Sequence, residues 1–115
     1  MEQPSQAVLI DAVLTGNVHN VVARFLDGNW GLLPSVWNVP FENLIAEGKH
    51  RGMECFIAAR PIHEGYWLSE SDGGFSVQYY ERGTNSDHSY FPALEPAFRK
   101  FVQCQLSYFQ LKALP

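Results

Sequence analysis

The chain has 115 residues, of which 46% are hydrophobic and 14% aromatic, and its formal net charge is −4 at pH 7. This length suits a single domain over residues 1–115, which can bury a core without disulfide bonds or a structural metal. The apolar content argues against a disordered chain. The acidic balance argues against nucleic acid as a direct partner, and two cysteines are too few for a disulfide framework.

The N-terminal third is predicted to be helical. Ser5 is placed as the N-cap of a helix that ends near Leu14, although the β-branched residues of this segment leave a strand open as the alternative. A second helix is predicted from Asn17 to about Leu26, because its apolar residues recur at helical spacing. An irregular, apolar stretch at 30–40 leads to a short helical turn at about 41–47.

The middle of the chain is predicted to form strands. Cys55–Ala59 is a short apolar run. The segments Gly65–Ser69 and Phe75–Glu81 are joined by Ser-Asp-Gly-Gly, a strong hairpin signal because glycine adopts positive φ. Tyr90 and Phe91 are expected to add a further short strand. Alternation in the second arm sends one set of side chains to each face: Phe75, Val77 and Tyr79 on one side, and Ser76, Gln78 and Tyr80 on the other.

A long C-terminal helix is predicted from about Pro92 to Lys112. Its apolar stripe consists of Leu94, Phe98, Phe101, Val102, Leu106 and Phe109. The elements together predict an α+β fold, in which an antiparallel sheet of three or four strands packs on this helix and helical N-terminal elements complete the core.

No reaction centre is predicted. His50 and Glu54 have metal-ligand spacing, but Gly52 lies between them and interrupts a helix. The adjacent residues Ser86–Ser89 cannot line up as a catalytic triad, which is assembled from separate segments. Cys55 is flanked by apolar residues and is expected in the core rather than as a nucleophile. We therefore predict no catalytic residue, metal site or cofactor, and a protein that is not an enzyme.

The segment from Pro61 to Glu95 is acidic. It has six carboxylates and one arginine, Arg82, so its net charge is six minus one, or −5. Such a segment is either a solvated face or a steering surface for a basic partner. Tyrosines in the hairpin supply contact area at little entropic cost. The predicted partner-binding residues are Glu64, Tyr66, Glu70, Asp72, Tyr80 and Asp87. Glu81 and Arg82 are expected to form either a local salt bridge or a contact pair.

A recognisable order of segments begins at Gly73–Gly83 (GGFSVQYYERG). A polar loop follows, and then an aromatic residue precedes a helix at Phe91–Val102. With Glu64–Leu68 before them, these residues resemble the small immunity proteins of bacterial polymorphic-toxin and contact-dependent growth inhibition systems, over about residues 61–110. The resemblance implies a protein that binds the C-terminal domain of a cognate toxin, often a nuclease, and neutralises it. It implies no catalytic residues and no fixed binding face.

The N-terminal residues lack the basic region of a signal peptide, and no apolar run approaches membrane-spanning length. We therefore expect a cytoplasmic protein whose partner is a toxin with a basic cleft, not nucleic acid or a membrane. A small structural or adaptor protein of phage or secretion-system origin is the alternative, and an enzyme ranks third.

Overall fold

The computed structural model describes residues 3–59 and 64–115. These residues confirm the α+β class, because the C-terminal helix packs on an antiparallel sheet. The helices are α1 (Gln6–Thr15), α2 (Val18–Phe25), α3 (Leu33–Val36), α4 (Phe41–Arg51) and α5 (Leu94–Tyr108), with single 3₁₀ turns at Trp30–Leu32 and Met53–Phe56. The strands are β1 (Gly65–Ser71), β2 (Gly74–Glu81) and β3 (Thr84–Phe91). No helix among the described residues is both long and apolar enough to cross a bilayer.

The first helix forms where the sequence predicts it. The Ser5 hydroxyl accepts a hydrogen bond from the Val8 N–H at 3.2 Å and so caps the helix. Its buried side chains are Leu9, Ala12, Val13 and Leu14. Burial of this face against α2, α4 and α5 decides the segment in favour of a helix over the strand that its β-branched residues allowed.

The sheet is a meander in the order β1-β2-β3. Ser71 pairs with Gly74 and Glu81 pairs with Thr84, so each hairpin has a two-residue loop. Asp72 and Gly73 have φ of 48° and 78°, and Arg82 and Gly83 have 51° and 78°. Two consecutive positive φ values define the type I′ turn, whose twist matches that of the flanking strands. Of the two alternatives for Glu81 and Arg82, the local salt bridge is not among the ion pairs of the described residues, so the contact role stays a prediction.

The third strand is longer than predicted. It runs from Thr84 rather than from Tyr90, because the turn at Arg82–Gly83 sends the chain straight back along β2. Between the pairs Val77–Ser89 and Tyr79–Ser86, β2 contributes one residue and β3 contributes two, Asp87 and His88. This β-bulge interrupts the alternation of side chains, which hides the strand in the sequence.

The predicted strand at Cys55–Ala59 is wrong over most of its length. Residues up to Phe56 form a 3₁₀ turn, and only an isolated bridge joins Ile57 to Leu68, with the Ala58 N–H donating to the Leu68 carbonyl at 2.8 Å. Cys55 is exposed, not buried as its apolar neighbours suggested, whereas Cys104 is buried. Gly52, with φ of 90°, ends α4 and redirects the chain into this turn.

Helix α5 is the centre of the core. It contacts all three strands, and it also packs on α1 and α4. Phe98, fully buried, contacts the ring of Phe56 at 5.3 Å between centroids and that of Phe101 at 6.4 Å. The ring also lies directly against Gly48 of α4, where a side chain would not fit. The core therefore depends on close approach of α4 to the middle of α5.

Ion pairs hold α4 beside α5 at the surface. Both guanidinium Nη atoms of Arg99 contact the Glu42 carboxylate, at 2.8 and 2.9 Å, and Lys49 contacts Glu95 at 3.0 Å. The hydrogen bond from Arg99 lowers the pKa of Glu42 below its usual value. Glu95 thus belongs to the contact between two helices and not to the acidic surface of the hairpin.

The turn between β2 and β3 yields a prediction. Arg82 adopts φ of 51°, a conformation that asparagine adopts more readily than arginine does. We expect Arg82→Asn to raise the free energy of unfolding by about 0.5–1 kcal/mol. The matched control is Asp72→Asn, because Asp72 occupies the same turn position but is already a favoured residue there. Urea unfolding curves measure both; a destabilised Arg82→Asn would contradict this description of the turn.

Candidate functional site

Large apolar side chains are exposed at one end of the molecule. Trp30 is 47% exposed, Tyr108 is 43% exposed, and both contact the ring of Phe109. The Trp30 and Phe109 rings are nearly parallel at 13°, with centroids 6.5 Å apart, whereas Tyr108 meets Phe109 edge-on at 5.1 Å. An exposed tryptophan beside an exposed tyrosine is unusual for a surface without a partner, since both residue types are enriched in interfaces.

The cluster continues onto the sheet. The rings of Tyr66 in β1 and Tyr79 in β2 form a cross-strand pair with centroids 5.0 Å apart. Tyr108 contacts them at 6.4 and 6.2 Å, respectively. We refer to Trp30, Tyr66, Tyr79, Tyr108 and Phe109 as the aromatic patch. It joins three distant parts of the chain across the end of α5.

Local structure fixes the position of Trp30. The Asp27–Gly28 turn ends the second helical segment, and both residues have positive φ. The Asn29 side chain then accepts a hydrogen bond from the Gly31 N–H at 3.0 Å, which caps the 3₁₀ turn that begins at Trp30. Trp30 is therefore presented from a capped turn rather than from a loose loop.

Two carboxylates border the patch. Glu64 is exposed, and it accepts a hydrogen bond from the Arg82 N–H at 3.3 Å. Burial raises the pKa of Tyr79 above its usual value, and the negative charge of Glu81 raises it further. The Tyr79 phenol also donates a hydrogen bond to the Glu81 carboxylate, so Glu81 holds this ring at the border of the patch. The border of the patch is therefore negatively charged, whereas its centre is apolar. A polar border around an apolar centre is typical of protein–protein interfaces.

A groove of about 380 Å³ opens beside the patch. It lies between the start of α2, the end of α5 and the entry to β1. Its aromatic walls are Trp30, Tyr108 and Phe109, and its polar lining comes from Asn17, His19, Glu64 and Gln105, with Gly16 and Gly65 between them. Among the residues that the structure describes, the lining contains one carboxylate and no lysine or arginine.

The six predicted partner-binding residues do not form one surface. Glu64 and Tyr66 lie at the aromatic patch, although Tyr66 is partly buried against neighbouring rings rather than exposed. Glu70 and Asp72 are exposed at the other end of β1, about 20 Å away at the usual rise per residue of a strand. Tyr80, partly buried, belongs to the opposite face of the sheet, and Asp87 lies in the bulge of β3.

Sequence reasoning missed four members of the patch. The sequence placed Trp30 in an irregular apolar stretch, Phe109 in the apolar stripe of α5, and Tyr79 only in the alternation of β2. Tyr108 received no role. The available signal was weak, because it consisted only of a tryptophan directly after Asp-Gly-Asn, a turn sequence that places the next residue near the surface.

In the part of the chain that the structure describes, no three His, Cys, Asp or Glu side chains converge as metal ligands. His50 is exposed on α4, and Glu54 lies beyond Gly52 in the next turn. Comparison of the chain with protein-family models, curated proteins and solved structures gives no match. The resemblance to immunity proteins therefore stays a prediction from the residues.

Proposed function

We propose that this protein is an immunity protein, which binds a cognate toxin domain and neutralises it as a stoichiometric protein inhibitor. The aromatic patch carries the proposal. Exposed tryptophan and tyrosine side chains on a rigid support are the groups that most often dominate the binding energy of an interface. Trp30 and Tyr108 together offer such an anchor, since Trp30 stacks on Phe109 and Tyr108 packs between Phe109 and the Tyr66–Tyr79 pair.

Charge favours a partner with a basic surface. Glu64 and Glu81 border the patch, and Glu70 and Asp72 extend the negative charge to the far end of the hairpin. Opposite charges on two proteins raise the association rate and select the orientation of the encounter. A toxin that acts on nucleic acid carries a positively charged substrate site, so an acidic inhibitor suits it.

The direct test is protection of cells. The C-terminal domain of the protein encoded immediately upstream would be expressed alone and together with this chain. We expect growth arrest with the domain alone and restored growth on co-expression, with both proteins in one purified complex. Toxicity that persists on co-expression would contradict the proposal. A neighbouring capsid or tail protein that captures the chain would instead support the adaptor function.

Steering by the far end of the hairpin gives a second prediction. Glu70→Lys combined with Asp72→Asn removes the negative charge there, and asparagine preserves the positive φ of the turn. We expect the association rate constant to fall about tenfold at low salt, with a weaker salt dependence and an unchanged melting temperature. Stopped-flow mixing at several salt concentrations measures this. An unchanged rate at every salt concentration would make the hairpin end a merely solvated surface.

A further inference from the structure

A groove of about 480 Å³ lies between the first two helices. Val8 and Ala12 line it from α1, one helical turn apart, and Val21 and Phe25 line it from α2 at the same spacing. The two outer members of these rows, Val8 and Phe25, are only partly buried. A valley between two such rows is the shape into which the side-chain ridge of a third helix packs.

Helix α2 leaves one side open for such a helix. It is strongly amphipathic, and it packs chiefly on α1, whereas α1 also contacts α4 and α5. The groove extends from Asn17, at the joint between the two helices, to Ala7 near the start of α1 and Phe25 at the end of α2. It therefore follows the whole length of the helical pair.

The charges of the lining do not balance. Asp11 and Arg51 neutralise each other, because Nη1 of Arg51 contacts the Asp11 carboxylate at 2.8 Å and its Nε contacts Glu47 at 2.8 Å. Arg24, the other cation of the lining, forms no ion pair within residues 3–59 and 64–115. Its guanidinium carbon lies 5.4 Å from the centre of the Phe25 ring, a cation–π contact that holds the group in place. Arg24 is thus positioned but not neutralised.

We propose that this groove binds an amphipathic helix of a partner protein, whose apolar side chains cover the two apolar rows and whose carboxylate pairs with Arg24. A guanidinium group binds a carboxylate through two parallel hydrogen bonds, so Arg24 selects an acidic helix. The lining shares only Asn17 with the groove beside the aromatic patch. The inference therefore concerns a second surface and does not rest on the proposed function.

Two other occupants fit the groove less well. A small anion would pair with Arg24 but would leave the apolar rows in contact with water. A second copy of this chain has no free helix to supply, because α1, α2, α4 and α5 each bury their apolar faces in their own core. A helix from a different protein satisfies both the apolar rows and the charge.

A pair of synthetic peptides tests the site on the isolated protein. Each has about twelve residues, which matches the length of the helical pair, and a side-chain staple fixes it as a helix. Both carry leucine at every third or fourth position; one carries glutamate beside each end of this stripe, and the other carries glutamine there. We expect the glutamate peptide to bind about tenfold more tightly in fluorescence anisotropy. Amide shifts in ¹⁵N-labelled protein should concentrate in α1 and α2.

Two arginine variants decide whether Arg24 is responsible for the preference. Arg24→Gln and Arg82→Gln each remove an exposed arginine that has no ion pair among the described residues, but only Arg24 lines the groove. Arg24→Gln should bind the two peptides equally, whereas Arg82→Gln should keep the tenfold preference to within about twofold. Melting curves of both variants should match that of the wild type.

Several results would overturn the helix site. These are equal affinities of the wild type for the two peptides, an equal loss of preference in the two variants, and no measurable binding of either peptide. Amide shifts centred on the aromatic patch instead of on α1 and α2 would also overturn it, because the peptides would then occupy the other surface.

Discussion

Replacement of Phe98 by alanine is expected to lower the free energy of unfolding by about 3–5 kcal/mol, a large part of the stability of a domain of this size. The ring is fully buried and packs between Phe56, Phe101 and the backbone of Gly48. Its removal leaves a cavity between the sheet and α4, and neither element can move far enough to fill it. Chemical denaturation measures the loss, and a decrease below about 1 kcal/mol would contradict the packing described for α5.

A double-mutant cycle with Gly48 tests the same contact independently. Alanine is a better helix former than glycine by about 1 kcal/mol, so Gly48→Ala in an ordinary helix would stabilise the protein. Here its Cβ would overlap the Phe98 ring, and we expect a net loss of about 1–3 kcal/mol. In the Phe98→Ala background the overlap is gone, and the sign should reverse. Additive effects of the two substitutions would show that the residues are not in contact.

Replacement of Trp30 by alanine is expected to weaken toxin binding by about 2 kcal/mol or more, which is a factor of about 30 in Kd. Stability should change far less than for Phe98, because the tryptophan is 47% exposed. Tyr90→Ala is the control, since Tyr90 is 50% exposed. Tyr90 lies opposite Ser76 in the neighbouring strand, on the face of the sheet away from the aromatic patch. Calorimetric titration gives the Kd of both variants for the toxin domain. It shows whether Trp30 is a specific anchor or whether loss of any exposed aromatic side chain weakens binding. Equal affinities of wild type and Trp30→Ala for the toxin domain would show that the aromatic patch does not lie in the interface.

The fold could be predicted where local chemistry and hydrophobic spacing agree. Asp72–Gly73 between two alternating segments identified the first hairpin, and the apolar stripe identified α5. Prediction failed where these signals were absent. Residues Thr84–Ser89 are all polar and contain the bulge, so the third strand had no alternation to recognise. Cys55 has apolar neighbours, but the turn after Gly52 exposes it.

The candidate site was much less accessible to sequence reasoning. Glu64 and Tyr66 were found because they lie in one short segment with charge and aromatic character. Their connection to Tyr108 depends on packing of α5 against the sheet, because Tyr66 and Tyr108 are 42 positions apart in the sequence. Trp30 joins the patch through Phe109, which is 79 positions away. No local pattern encodes such proximity. The acidic hairpin was predicted as one surface, but strand geometry separates Glu64 from Glu70 and places Tyr80 on the other face.

The stoichiometry of inhibition tests the central claim most directly. The activity of a fixed amount of purified toxin domain would be measured while this protein is added in increasing amounts, well above the Kd of the complex. A stoichiometric inhibitor predicts a linear loss of activity that ends at one molecule of protein per toxin domain, and Trp30→Ala should convert the sharp end point into a shallow curve. Complete inhibition at a small fraction of one equivalent would show catalytic inactivation of the toxin, and no inhibition at several equivalents would show that the toxin domain is not the target.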